Sequence, residues 1–220
     1  MQTRQYFRSA DTSLRDLIKF AYAVHDRQVE GGPSWIGTKG FDILAKPEGE
    51  GEPSDAQWRR MIQKLLTERF GLVLHRETRK MPTYILVEDE SGNKMTPGDP
   101  NIAGTFNFSG HGHLPATSMT MDRLAFMLQA LVFDRPVINR TGLTGSYDFT
   151  LTWRPDEFQF PDTPQAKSKG GPVKRYTPAF TAEFPDIFTA MRDQLGLSLE
   201  PSDAPTVVLV VDQAESPTEN

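Results

Sequence analysis

Four stretches of the chain place apolar residues at spacings of three and four, which is the pattern of an amphipathic helix. Ser54 and Gln57 precede the second stretch as a capping box, and Gly196 follows the fourth as a stop signal. The pattern therefore predicts four helices. They cover residues 14–22, 58–65, 121–132 and 187–195.

A short apolar step, a turn and a longer β-like run follow each predicted helix. Alternation of apolar and polar residues over 147–153 is typical of a strand with one solvated face, whereas the apolar run 207–211 indicates a central strand. Other extended stretches precede the first and third helices, at 5–9, 104–109 and 114–118. The strands predicted after the helices are 28–30, 41–46, 72–76, 83–88, 137–139, 147–153, 197–200 and 206–212.

Because this order of elements recurs, we predict an α+β protein built from four degenerate helix-strand-strand repeats. Two similar halves, 1–90 and 91–220, would each form a mostly antiparallel sheet with two helices packed on one face. The acidic stretch 88–100 would link the halves, although one continuous domain is also compatible with the pattern. A second irregular stretch, 155–183, is rich in Pro, Gly and Lys, and its length favours disorder or a mobile flap over a structured lid.

Composition narrows the class of protein. Apolar residues make up 37% and aromatic residues 10% of the chain, which excludes a disordered protein. The absence of cysteine excludes thiolate nucleophiles, disulfides and cysteine zinc sites. Residues 1–90 are balanced in charge, so 91–220 carry the whole net charge of -5, which argues against nucleic-acid binding. No apolar run is long enough for a membrane span, and the N-terminus has no signal-peptide pattern.

Two histidines with glycine neighbours, His111 and His113, are the first candidates for chemistry. On an extended strand their side chains would point the same way, so together they could ligate a metal ion. Asp89 and Glu90 add carboxylates near Gly92, although their spacing does not match an EF-hand loop. A calcium or zinc site built from these two histidines and two acidic residues is one hypothesis. Exposed loop histidines and a solvated acidic linker are the alternative.

Asp42 and Asp148 occupy equivalent places in the repeat, each beside an aromatic residue. This equivalence favours a structural role, such as accepting a hydrogen bond from the preceding turn. Asp148 is also the third catalytic candidate, beside His111 and His113. The sequence contains no phosphate-binding loop, dinucleotide fingerprint, zinc-protease helix or serine-hydrolase elbow.

Several long motifs resemble the "soil-associated protein" family of unknown function, which is abundant in acidobacterial genomes. They are GGPSW at 31–35, HRETR at 75–79, TGLTGSYDFTLTW at 141–153 and QLGL at 194–197. The resemblance covers nearly the whole chain and implies a protein exported to the periplasm or the cell exterior. The missing export signal suggests a trimmed protein or a start within a longer reading frame. The repeated unit is also similar in architecture to the short N-terminal domain of secretins and TonB-dependent receptors, a protein-interaction module.

The leading functional hypothesis is an extracytoplasmic binding or interaction domain. Its sheet edges and the 155–183 loop would hold an unknown protein, peptide or small-molecule ligand. The alternative is a small hydrolase of lactones or esters, such as acyl-homoserine lactones, in which a calcium or zinc ion polarises the carbonyl and activates water. Its catalytic residues would be His111, His113 and Asp148. We expect no nucleic-acid partner and no membrane span.

Overall fold

The structure is a computed structural model that describes residues 6–47, 53–102, 104–107, 112–156, 159 and 183–217. It is an α+β protein, which confirms the predicted fold class. The described chain forms two compact units: unit 1 holds the residues up to Met81 and those from Ala204 onward, and unit 2 holds Pro82–Asp203. The boundary predicted from sequence lies between residues 90 and 91.

All four predicted helices are present among the described residues, and two of them, α3 and α4, continue into π-helical turns. In chain order the elements are β1 (Phe7–Ser13), α1 (Leu14–Tyr22), β2 (Val29–Gly31), β3 (Gly40–Ala45), α2 (Asp55–Phe70), β4 (Val73–Glu88), β5 (Thr96–Pro97), β6 (Thr105–Phe106), β7 (His113–Thr120), α3 (Met121–Met127, then Leu128–Val132), β8 (Val137–Asn139), β9 (Ser146–Thr152), α4 (Ile187–Ala190, then Met191–Leu195) and β10 (Leu197–Gln213).

Side-chain caps and glycines fix the ends of these helices. Ser54 and Gln57 form the predicted capping box at the start of α2, because each satisfies a backbone N–H of the other. Gly71 and Gly196 end α2 and the α4 π-turn in the left-handed conformation, with φ of 53° and 69°. The helix boundaries therefore follow from local sequence.

The strands pair in both directions. β1 pairs antiparallel with β3, and β9 pairs antiparallel with β7 on one edge and with β5 on the other. The short strands β2 and β8 instead pair parallel with the long strands β10 and β4. Each unit therefore combines an antiparallel ladder with a parallel pair, whereas the sequence predicted one mostly antiparallel sheet per half.

Two pairs of predicted strands are each one long strand. β4 joins the predicted strands 72–76 and 83–88, and β10 joins 197–200 and 206–212. The sequence pattern predicts turns at the polar residues between them, but these residues belong to a continuous strand, and most of them are exposed to solvent. Each long strand runs from one unit into the other, which the repeat pattern alone did not indicate.

Each unit has its own hydrophobic core. In unit 1, the apolar faces of α1 and α2 pack on β2 and on the second half of β10, where Leu209 and Val211 are buried. In unit 2, α3 and α4 pack on β7, β8 and β9, around the fully buried Trp153. In each unit, two helices thus pack on strands around one core.

The two predicted irregular stretches differ in how much of them the structure describes. Most of the 155–183 stretch, which was predicted to be disordered or a flap, lies outside the described residues. Near the start of this stretch, Gln159 is buried and accepts a hydrogen bond from the Trp153 indole at 2.7 Å. The acidic stretch 88–100 lies in unit 2 from its first residue and contains β5.

Candidate functional site

The described residues of the metal hypothesis do not form a cluster. His111 lies outside the described residues. His113 begins β7, and its Nδ1 atom lies 3.2 Å from the Thr152 hydroxyl on β9. No group of three or more His, Asp or Glu side chains that could hold a metal ion occurs in the part of the chain that the structure describes.

The acidic loop after β4 acts as a cap on the last helix. The Asp89 carboxylate accepts the Ser91 backbone N–H at 3.0 Å and the Ser198 hydroxyl at 2.8 Å, and these bonds lower the pKa of Asp89. The Asp89 N–H donates to the Gly196 carbonyl, and the Lys94 N–H donates to the Leu195 carbonyl. Both carboxylate oxygens of Asp89 are therefore already engaged. Glu90 is exposed beside this loop.

Asp148 supports an irregularity in its own sheet. β7 bulges between Ala116 and Met119, so that two residues face one residue of β9. Ser118 in this bulge has a left-handed φ of 49°, and its backbone N–H donates to the Asp148 carboxylate at 2.7 Å. The carboxylate thus stabilises a conformation that non-glycine residues rarely adopt.

The same arrangement occurs in unit 1. β1 bulges between Ser9 and Thr12, opposite Asp42 of β3. Asp11 in this bulge has a φ of 47°, and its N–H donates to the Asp42 carboxylate at 2.8 Å. Asp42 and Asp148 therefore make the same contact in the two units, on β3 and β9 respectively.

A charged network that the sequence did not reveal crosses the strands of unit 1. His75 on β4 lies 2.9 Å from the Asp212 carboxylate on β10 and 3.1 Å from Glu77, and hydrogen bonds to these two carboxylates raise its pKa. Arg79 contacts Glu77 and reaches Glu30 on β2 at 2.6 Å. Every charged group here has a partner within the network, so its geometry is that of a crosslink between strands.

β9 of unit 2 and β3 of unit 1 each pair with a bulged strand on one edge. They differ in what pairs with the other edge, here called the outer edge. In unit 2, β5 covers the outer edge of β9: Thr96 pairs with Asp148 and Pro97 pairs with Tyr147, and the Gly98 N–H donates to the Ser146 carbonyl at 2.8 Å. In unit 1, β3 pairs with β1 on one edge only, and no described residue pairs with its other edge. An uncovered strand edge presents backbone N–H and C=O groups that can pair with another chain.

An open groove of about 490 Å³ lies along this bare edge. Residues of β3, residues of the second half of α2 and Pro217 line it. Leu44 on β3 is 73% exposed, which is unusual for a large apolar residue in a strand. The lining residues are Phe41, Asp42, Ile43, Leu44, Leu65, Glu68, Arg69, Phe70 and Pro217.

The segment that leads to the outer edge of β9 and the segment that leads to the outer edge of β3 make the same hydrogen bond to a helix end. In unit 2, the Lys94 N–H bonds to the carbonyl of Leu195, the last residue before the helix-ending glycine, and β5 begins two residues later. In unit 1, the Glu215 N–H bonds to the carbonyl of Phe70, which holds the same place in α2. The described residues end two positions further on, at Pro217. Pro217 therefore corresponds to Thr96, the first residue of β5, and the groove that Pro217 lines lies where β5 continues in unit 2.

Comparison with known proteins identifies the family but no activity. None of the described helices is both long and apolar enough to cross a membrane. No curated protein and no solved structure matches the chain significantly. The acidobacterial origin and the likeness to the secretin domain stay predictions. A family model described as "Protein of unknown function (DUF3738)" matches residues 15–214, and the chain therefore belongs to that family of unknown function.

Proposed function

We propose that this protein is a binding domain that takes an extended segment of a partner polypeptide as an added strand on the outer edge of β3. The observation that carries this proposal is the difference between the two units. The same bulged ladder bears a third strand, β5, on β9 and bears none from the described residues on β3. Main-chain hydrogen bonds would supply affinity, and the adjoining groove would supply side-chain specificity.

The backbone direction of β3 supports this use. Pro115 has no N–H, so its pair with Thr150 on β9 is not a hydrogen-bonded pair, and Thr150 turns its backbone groups toward the β5 side. The Gly98–Ser146 hydrogen bond agrees with this alternation. On β3 the corresponding residues are Gly40, Asp42 and Leu44, which would present N–H and C=O groups to the bare edge.

The family resemblance supports an extracytoplasmic place of action, where the partner would be another exported protein. No contact among the described residues favours the metal-assisted hydrolase. His113 contacts Thr152, and Asp89 is held by Ser91 and Ser198. Neither contact exposes a group poised to activate water.

A peptide with the sequence of residues 93–99, labelled with a fluorophore at its N-terminus, provides a direct probe. It reproduces the segment that covers β9, and it should bind the full chain with a rise in fluorescence anisotropy. Leu44→Pro should abolish this rise because proline lacks the edge N–H, while Leu44→Thr keeps the N–H and should lose only the contribution of the Leu44 side chain to the groove. Circular dichroism would verify that both variants fold.

Two results would overturn the proposal. One is equal binding to the Leu44→Pro and Leu44→Thr variants, which would place the peptide elsewhere. The other is binding only by a chain shortened to end at Pro217, since residues 218–220 would then be competing for the edge in the natural chain. Amide shifts in an NMR spectrum that concentrate on β3 and the second half of α2 would support the proposed location.

A further inference from the structure

The chain supplies two residues of its own at the places that a partner strand would take on β3. Lys94 and Glu215 hold the same place in the two units, because each donates its N–H to the carbonyl of the last residue of a helix. Ser216 and Pro217 therefore stand where residues 95–96 stand in unit 2. A strand added to β3 in the way that β5 is added to β9 needs these same two places.

Two contacts hold Ser216 and Pro217, here called the cover, beside β3. The Lys39 Nζ atom lies 5.5 Å from the centroid of the Phe41 ring on β3 and donates to the Ser216 hydroxyl at 2.8 Å. Pro217 lines the groove next to Phe41. Neither cover residue forms a ladder pair with β3 in the described part of the chain. The cover therefore lies at the outer edge without satisfying the backbone groups of that edge.

The corresponding segment of unit 2 is anchored much more firmly. Met95 is 6% exposed and belongs to the core of unit 2, whereas its counterpart Ser216 is exposed. Burial of an apolar side chain stabilises the position of its segment, and an exposed hydroxyl has no such contribution. The Gly98 N–H adds a hydrogen bond to the Ser146 carbonyl of β9 at 2.8 Å. The cover has neither of these anchors among its described contacts.

The residue that precedes each segment increases the difference. The Lys94 ammonium donates to the carbonyls of Arg192 and Asp193 at 3.1 and 3.2 Å, at the C-terminal end of α4. A cation is favourable there, because the end of a helix carries a partial negative charge. Glu215 brings an anion to the equivalent end of α2, and its carboxylate accepts a hydrogen bond from Gln213. Attachment at the helix end is therefore weaker in unit 1.

We infer that Ser216 and Pro217 form a displaceable cover that competes with the partner strand for the outer edge of β3. This inference rests on the function proposed above. Binding of the partner breaks the contact between Lys39 and Ser216 and moves Pro217 out of the groove, while the hydrogen bond of Glu215 to α2 is retained. The cover lowers the affinity of every partner strand by the same factor, and so it sets a threshold that a partner must exceed.

Two shortened chains test the cover, with anisotropy of the labelled 93–99 peptide as the measurement. A chain that ends at Glu215 lacks the cover and should bind the peptide about fivefold more tightly than the natural chain does. Fivefold is the factor by which a cover that is in place about 80% of the time weakens binding. A chain that ends at Pro217 keeps the cover and is the matched control, so it should bind like the natural chain.

Substitution of Ser216 tests the anchoring without shortening the chain. Ser216→Met gives the cover the apolar side chain that Met95 has, and it should weaken peptide binding about tenfold, because burial of the methionine in the groove holds the cover in place. Ser216→Gln adds a side chain of similar length that stays polar, and it should bind the peptide as the natural chain does. Circular dichroism would verify that all four chains fold.

The outcomes separate the inference from the function on which it rests. Equal affinity of the natural chain and the chain that ends at Glu215 would show that no cover competes, while the binding function stands. A gain that is already complete in the chain that ends at Pro217 would assign the competition to residues 218–220 and overturn the inference. Equal binding by Ser216→Met and Ser216→Gln would refute the correspondence of Ser216 with Met95. If the peptide binds none of these chains, the proposed function itself fails.

Discussion

The paired carboxylates at the two bulges allow one substitution to be compared in two settings. In Asp148→Ala, the N–H of Ser118 loses a charged acceptor, and Ser118 is only 4% exposed. Loss of a hydrogen bond to a charged group with a buried partner costs about 1.5–3 kcal/mol. In Asp42→Ala, water can replace the lost acceptor, because Asp11 is exposed, and the cost should fall to about 0.5–1 kcal/mol.

Urea unfolding measures both free energies, and variants with Trp153 replaced by Phe, or with Trp35 and Trp58 replaced by Phe, let tryptophan fluorescence follow one unit at a time. Trp153 reports on unit 2, and Trp35 and Trp58 report on unit 1. Asp148→Ala should lower the free energy of unfolding by about 1–2 kcal/mol more than Asp42→Ala does, as the difference between the two costs above. Asp148→Asn, which keeps a neutral acceptor, should lie between the natural protein and Asp148→Ala. Equal losses at the two sites, or a larger loss at Asp42, would refute the assigned role of burial.

Other substitutions test the helix ends and the charged network. Gly196→Ala should destabilise the protein far more than Gly71→Ala, whose cost should be about 1 kcal/mol, because a Cβ at 196 overlaps the Gly92 carbonyl while the nearest atom at 71 is 3.6 Å away. Similar urea midpoints for the two variants would contradict this. The raised pKa of His75 means that its network stabilises the fold below about pH 6.5 and that this is lost as pH rises through the folded-state pKa. The urea midpoints of the natural protein and His75→Gln should therefore converge with rising pH, and a constant gap would argue against it. Ser54→Ala removes half of a capping box and should cost about 1 kcal/mol, as measured by urea unfolding against the neutral control Asp55→Glu.

Local signals in the sequence were sufficient for the helices and for most strand positions. The capping box at Ser54 and the stop at Gly196 act within a few residues of chain, so the sequence alone reveals them. The strand predicted at 137–139 matches β8, and alternation over 147–153 located β9. The equivalent positions of Asp42 and Asp148 in the repeat predicted that both carboxylates accept a hydrogen bond. The donor is a backbone N–H in the bulge of the neighbouring strand rather than in the preceding turn.

Features that depend on distant pairing were missed. The continuity of β4 and β10 depends on partners far along the chain, and an isolated polar stretch resembles a turn. The network around His75 joins residues from three strands, so no spacing of residues within one segment of the sequence predicts it. The sequence contains only a weak signal for the unpaired outer edge of β3. The segment that forms β5 follows one half of the repeat, and the described chain has no equivalent strand after the other half. Recognising it requires knowing which strands are neighbours.

The course of β10 has a consequence for synthesis on the ribosome. Unit 2 is one contiguous stretch, Pro82–Asp203, which emerges before residues 204–217 do. Unit 1 needs Leu209 and Val211 for its core, although its helices are made first. The apolar faces of nascent α1 and α2 therefore lack their partner strand while more than half of the chain is translated. A premature stop before residue 204 would deprive the earlier-made unit of its central strand, and a chaperone that shields this face would act during that interval.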